Sequence, residues 1–436
     1  MWAENAVFYQ IYPLGLCGAP EENDGRLEHR LGRIESWIGH MERLGVNAVY
    51  LSPVFQSDSH GYDTRDYRTV DCRLGDNEDL KKLVRAFHAH GIRVVLDAVF
   101  NHVGRGFWAF RDVQEKKWDS PYKDWFHIRF DGDSAYRDGF WYEGWEGHYN
   151  LVKLNLRNPA VADALLDTVR FWTEEFDIDG LRLDVAYCLE PDFLRRLRQF
   201  CGGLKEEFFL LGETLHGDYN RWVNDEMLHS CTNYECYKGL WSALNSRNLF
   251  EIVHSLKRQF GPEPWTLYKG KHLLCFADNH DVTRAASILN EARHLPLLYG
   301  LVFGMPGIPC VYYGSEWGLE AKKQAGSDWN LRPAIETPEW NGLTDRIAAM
   351  AKAHRESAAL CRGDFQDLAL TNLQTVFRRR CGDEQVLVCV NADAQPFFAR
   401  FDAGCVGASD LLTGQRVELR GGLELPGYSV MYLKCE

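Results

Sequence analysis

Residues 92–102 read IRVVLDAVFNH, and the form of that segment decides the fold. An apolar run of strand length that gives way to Asp97, Asn101 and His102 is what a parallel strand buried on both faces looks like, with its polar residues gathered at one end. Outward from it the same form recurs at Ala6 to Pro13, Val46 to Pro53, Gly180 to Val185, Phe208 to Glu213, Leu273 to Ala277 and Ile308 to Tyr313. Longer stretches of helical periodicity separate these runs. Leu27, Leu31, Ile34, Ile38, Met41 and Leu44 follow one another at spacings of three and four before Gly45, which predicts one helix packed on a sheet. Such alternation means parallel strands with crossover helices. A weaker run, Cys231 to Cys236, makes eight strands, and eight suits a closed (β/α)8 TIM barrel better than an open sheet.

Two stretches break the rhythm. After the third strand, residues 103–151 carry Trp108, Trp118, Trp125, Trp141 and Trp145 among many Gly and Asp, too long and irregular for a βα loop, and predict an inserted subdomain. After a last helix from Leu343 to about His354, alternating segments such as TVFRRR, QVLVCVNAD and YSVMYLK predict a carboxy-terminal β-sandwich over residues 361–436. The barrel then occupies residues 1–102 and 152–360.

Composition excludes several functions. The 436 residues hold 62 Asp and Glu against 49 Lys and Arg, a net charge of −13, with no basic run to support nucleic-acid binding. No apolar stretch is long enough to span a bilayer, so no membrane partner is expected. The amino terminus, MWAENAVFYQIYP, has no export signal, and thirteen scattered cysteines without a C-x-x-C pair predict free, mostly buried thiols in a reducing cytoplasm.

In a parallel barrel the active site lies at the carboxyl ends of the strands, and here those ends are acidic. GLRLDVA places Arg182 and Asp184 two apart, on one face of the fourth strand; LLGET ends the fifth at Glu213; FADNHD ends the seventh at His280 and Asp281. Any one acid could cap the following helix. Three carboxylates with an Arg and two His at one rim are harder to explain that way, because their repulsion must be balanced. Metal ligation is the competing use, but no ligand spacing of a known site occurs and Arg182 would oppose a dication, so no metal or other cofactor is expected. A carboxylate pair acting on a glycosidic bond needs none. The abundant aromatic residues, 13% of the chain, offer faces for sugar rings or, equally, a core for the small inserted subdomain.

These residues resemble the α-amylase family of glycoside hydrolases along nearly the whole chain. DAVFNH, GLRLDVA, GET and FADNHD look like its four principal sequence regions, and VNAVYLSP, HGYDT, VKLN and GIPCVYYGSE like secondary ones, in the same order. The resemblance implies that Asp184 is the nucleophile, held ionised by Arg182, that Glu213 is the general acid and then base, and that Asp281 stabilises the transition state. It makes Tyr62 a stacking platform, and His102 and His280 binders of sugar hydroxyls. VKLN is similar to the motif of neopullulanases, cyclomaltodextrinases and maltogenic amylases, which implies a retaining hydrolase of maltooligosaccharides or related α-glucans. GSDWNLRP adds Asp328 and Arg332 as substrate contacts.

Two departures from that subgroup stand out. The sequence opens on the first barrel strand, so the subgroup's amino-terminal β-domain is expected to be absent. VAYC follows Asp184 where a His helps to anchor calcium in many secreted amylases, and Asn101 alone does not make that site, so no calcium is expected. The same residues would also serve a 4-α-glucanotransferase, in which a sugar intercepts the intermediate. A carbohydrate-binding barrel without turnover is the remaining alternative. Oligomeric state, endo or exo action and the balance of α-1,4 against α-1,6 cleavage are left open.

Overall fold

The computed structural model describes residues 1–436. Eight parallel strands run β1 (Phe8–Ile11), β2 (Ala48–Leu51), β3 (Arg93–Ala98), β4 (Gly180–Leu183), β5 (Phe209–Gly212), β6 (Ser230–Cys231), β7 (Leu274–Phe276) and β8 (Ile308–Tyr312). Each pairs with its sequence neighbours, and β8 pairs back onto β1. Between β6 and β7 the ring closes through one parallel bridge, Thr232 to Leu274, where the Asn233 N–H donates to the Leu274 carbonyl at 2.9 Å. The architecture is the expected (β/α)8 barrel.

Alternation along the strands sorts residues between two cores. Phe8, Ala48, Tyr50, Val95, Phe209, Leu211, Leu274, Phe276, Ile308 and Cys310 fill the barrel interior, while Tyr9, Val49, Val94 and Leu210 face the surrounding helices. This period of two also supplies the site. Two residues beyond Val95 is Asp97, and two beyond Leu211 is Glu213, so the positions that follow the last interior apolar layer are the acids at the mouth.

Two expectations are corrected. Residues 27–44 do not form one helix: Gly32–Glu35 and Ile38–Leu44 are separate, and Leu27 is exposed. Backbone bonds to the neighbouring turn win over helix, with Glu28 N–H donating to the Cys72 carbonyl and Arg30 N–H to that of Leu74, both at 2.8 Å. The run Cys231 to Cys236 is strand only through Cys231, because Asn233 accepts from the Cys236 N–H and caps a helix over Tyr234–Asn245.

The chain after β3 forms a helix, Trp108–Lys116, over a three-stranded sheet of His102–Gly104, His148–Lys153 and Gly144–Trp145. Its aromatic residues divide: Phe110, Phe126, Phe140 and Tyr142 pack together, whereas Trp145 is half-buried over the barrel mouth and Trp108 and Trp118 are exposed. At the carboxy terminus a six-stranded antiparallel sheet faces a two-stranded ribbon, Phe397–Ala399 with Leu423–Leu425, across Val376, Leu387, Leu425 and Leu433. The sheet's other face meets the helix Leu295–Gly304. There Gly300 permits the close approach, since a Cβ on it would lie 2.6 Å from a Val430 methyl. The expectation that every thiol is free is corrected in this sheet, where Cys405 and Cys435 form a disulfide; the other eleven cysteines are free. No helix is long and apolar enough to cross a membrane.

Candidate active site

The strand ends converge on a cleft of about 650 Å3 over the barrel mouth. Asp184, Glu213, Asp281, Tyr62, His102, Asp328 and Arg332 all line it. Arg182 and His280 do not: both are buried beneath the lining, where they hold the groups that do.

Arg182 is the centre of the charge arrangement. Its Nη1 donates to both oxygens of Asp97 at 3.0 Å and to Asp184 Oδ1 at 2.8 Å, and its Nη2 lies 2.9 Å from Glu213 Oε2. Asp97 Oδ2 also accepts from the hydroxyls of Tyr50 and Tyr62, each at 3.0 Å, which saturates that oxygen and fixes the carboxylate's position. Glu213 Oε2 accepts a further bond at 2.9 Å from the N–H of Val185. That N–H is delivered by an unusual backbone, φ 39° and ψ 48° at a β-branched residue, a conformation that costs on the order of 1–3 kcal/mol. The turn aims the Val185 amide at the end of β5 from the residue that follows Asp184.

One oxygen of each acid is left without a donor. Asp184 Oδ2 has only His102 Nε2 nearby, at 3.9 Å, and Glu213 Oε1 has no partner. Asn101 Nδ2 stands 3.1 Å from His102 Nδ1, so the amide donates there and the His102 proton sits on Nε2, which is itself buried without a partner. Burial pushes the His102 pKa down to about 3 and the ring stays neutral.

On the other side, Asp281 accepts from Arg332 Nη2 at 3.0 Å and lies 3.2 Å from His280 Nε2. Gln10 Nε2 meets His280 Nδ1 at 2.8 Å, which fixes the tautomer with its proton on Nε2, toward Asp281 and the Tyr62 hydroxyl. The His280 ring is stacked 5.6 Å behind that of Tyr62. Lys323 Nζ reaches the Asp281 carbonyl at 2.8 Å and Asp328 at 3.2 Å, and Arg332 Nη2 lies 3.8 Å from Asp328.

The electrostatics separate Asp281 from the other two acids. Burial raises the pKa of Asp184 and of Glu213 above the ordinary carboxyl range; Arg182 opposes this in both, while Glu213 and Asp97 add to it at Asp184 and Asp281 adds to it at Glu213. Asp281 is about one third exposed; its partial burial still pushes the pKa up, but His280, Arg332, Arg182 and Lys323 together hold it below the ordinary value. Asp281 is therefore a fixed anion, and Asp184 and Glu213 form a pair that ionises in two steps, its first deprotonation making the second harder.

Several contributors were not legible as site residues. Tyr187, Leu215 and Trp329 line the cleft from positions within or beside the quoted motifs that were given no role, and Gln10 and Tyr50 act from beneath it. Only the inward parity of Gln10 with Phe8 could have signalled the first of these supports.

Residues 10–366 match the family model of the α-amylase catalytic domain. The chain is 31% identical over 449 residues to a cyclomaltodextrinase of Geobacillus thermopakistaniensis, covering 95% of this chain and 74% of that protein. It is 31% identical over 468 residues to neopullulanase 2 of Thermoactinomyces vulgaris, covering 99% and 78%. Among solved structures, the cyclic α-maltosyl-(1→6)-maltose hydrolase of Arthrobacter globiformis superposes over the full length of both chains with a TM-score of 0.85 at 28% identity. The matched family model spans most of the barrel and all four strand ends that build the cleft, and on that evidence the chain belongs to the α-amylase family of glycoside hydrolases.

Proposed function

We propose that this chain is a retaining α-glucan hydrolase that cleaves α-1,4 glucosidic bonds of maltooligosaccharides in the cytoplasm. The observation that carries the reading is the unfilled oxygen on each of two acids held by one guanidinium, Asp184 Oδ2 and Glu213 Oε1, opening on one cleft. Relatives named cyclomaltodextrinase, neopullulanase and intracellular maltogenic amylase support the substrate class and the compartment.

In this reading the pair works with one proton, on Glu213. Asp184 Oδ2 forms a bond to the anomeric carbon as the glycosidic C–O bond breaks, and the Glu213 proton passes to the leaving oxygen. Water then attacks the glycosyl ester, returns a proton to Glu213 and frees Asp184, so two inversions yield the α anomer. Tyr62 supports the sugar ring from below, the His102 Nε2–H donates to a hydroxyl, and the anionic Asp281 binds hydroxyls of the distorted ring. Asp328 and Arg332 hold the neighbouring sugar. No metal or organic cofactor takes part in these steps.

The test is proton NMR of maltotriose hydrolysis at early times, with α-anomeric reducing ends appearing first and mutarotating later. A β anomer as first product would refute retention. Asp184→Asn and Glu213→Gln should each abolish turnover while leaving the fold intact by circular dichroism, and wild-type turnover in Asp184→Asn would overturn the assignment.

A further inference from the structure

At the opposite end of the barrel from the cleft lies a second, smaller cavity of about 190 Å3, beneath the amino ends of β5 and β8. Arg198 and Lys271 both line it, and neither forms an ion pair with a carboxylate. Each makes a single hydrogen bond, Arg198 Nη1 to the Met227 carbonyl at 3.1 Å and Lys271 Nζ to the Val223 carbonyl at 2.5 Å, so most of their donors are unused. His229 adds another donor. Its Nδ1 accepts from the Leu210 N–H at 2.9 Å, which leaves the ring proton on Nε2.

The acids around the cavity do not complete the balance. Glu4 pairs with the Met1 ammonium at 3.2 Å, and Asp225, whose charge acts on Arg198 through space, is exposed and bonded to neither cation. His229 is kept neutral, its pKa pushed down to about 3 by burial first and then by Arg198 and the terminal ammonium. His272 is likewise pushed down, chiefly by burial. A half-buried guanidinium and an ammonium that open on one cavity, with no carboxylate bonded to either, leave their free donors for an anion to join.

We infer that this cavity is a binding site for a small oxyanion of the phosphate type, held by Arg198, Lys271 and the Nε2–H of His229. The anion is free inorganic phosphate or the phosphoryl group of a sugar phosphate. It binds across the barrel from the reacting groups and so acts on stability rather than on the chemical step. The fork of Arg198 suits two oxygens of a tetrahedral anion, with Lys271 as a point charge on a third.

The experiment is the thermal midpoint of the full chain titrated with inorganic phosphate, and separately with glucose 6-phosphate, against sodium chloride at matched ionic strength. A saturable rise is expected with one or both phosphates and none with chloride, because a ligand of the native state raises the midpoint until its site fills. In Arg198→Gln and in Lys271→Gln the apparent affinity should fall at least ten-fold, with maltotriose hydrolysis unchanged. Saturation with glucose 6-phosphate alone would identify the sugar phosphate as the source. A response that is absent, unsaturable, or equal in wild type and both variants would overturn the site. Should the variants fold poorly, calorimetric titration of the wild-type chain decides, with no heat of binding from either phosphate refuting the inference. These readouts do not depend on the proposed hydrolase activity.

Discussion

Replacing Arg182 with Met tests whether one guanidinium balances the three acids at the mouth. The side chain is nearly fully buried and contacts Asp97 at 3.0 Å, Asp184 at 2.8 Å and Glu213 at 2.9 Å. Removing one partner of a buried ion pair costs about 3–5 kcal/mol, because a charge is left buried without compensation. Unfolding entropy near 2.1 cal/mol/K per residue gives about 0.9 kcal/mol/K for 436 residues, so that cost lowers the melting temperature by about 3–5 °C. The effect must also depend on pH. Without Arg182 the buried carboxyls are pushed further up and keep protons that the unfolded chain has released. A native state that binds the extra proton loses stability as pH rises, by about 1.4 kcal/mol per pH unit for each one. Calorimetry at pH 5 and pH 8 should therefore find the deficit larger at pH 8. An equal deficit at both would mean that Arg182 contributes packing alone and would refute the charge balance.

Asp281→Asn should move the alkaline limb of the pH–rate profile to lower pH, since the Asp281 charge helps to raise the Glu213 pKa and its loss lets that proton go earlier; an unmoved limb in the residual activity would contradict the pairing. Asp179, buried at the amino end of β4, accepts from His88, Arg93, Lys205 and the Val94 N–H, which hold its pKa well below the ordinary value despite burial. Its contribution is complete above the ordinary Asp range and is lost as pH falls through the folded value. Asp179→Asn should cost about 2–3 kcal/mol at neutral pH, with a melting deficit that narrows in acid. Gly300→Ala should lower the melting temperature by about 1–3 °C through overpacking against Val430, with KM unchanged.

The parts of the fold legible in the sequence are those where local pattern and tertiary environment agree. β3, β4 and β5 are covered on both faces, so their apolar runs stand out and their polar ends mark the mouth. β6 is two residues long and owes its existence to neighbours on either side, which leaves little pattern to read. The spacing of Leu27 to Leu44 satisfies a helix, but the periodicity carries no information about the turn at residues 72–74 that captures the first part of it. The disulfide was illegible for a similar reason. Cys405 and Cys435 are thirty residues apart and meet only because the carboxy-terminal strands pair.

At the site, the sequence shows which face a residue takes but not its depth. Arg182 and Asp184 share a face by their spacing of two, yet one is a strut and the other lines the cleft. Depth is set by the neighbouring strands. Asp97 of β3 stands in register beside Arg182 with Tyr50 of β2 one layer below, and the guanidinium, held by Asp97, also takes one oxygen from Asp184 and one from Glu213. The buried layer thus decides which oxygens are spent and which are free. His280 follows the same logic on the far side: Gln10 of β1 fixes its tautomer, and the ring then backs Tyr62 and donates toward Asp281. Substitutions in this lower layer, such as Gln10→Leu or Tyr50→Phe, remove no group from the cleft. They act by loosening the groups that present the two unfilled oxygens, which is why the chemistry of the rim depends on residues that never reach it.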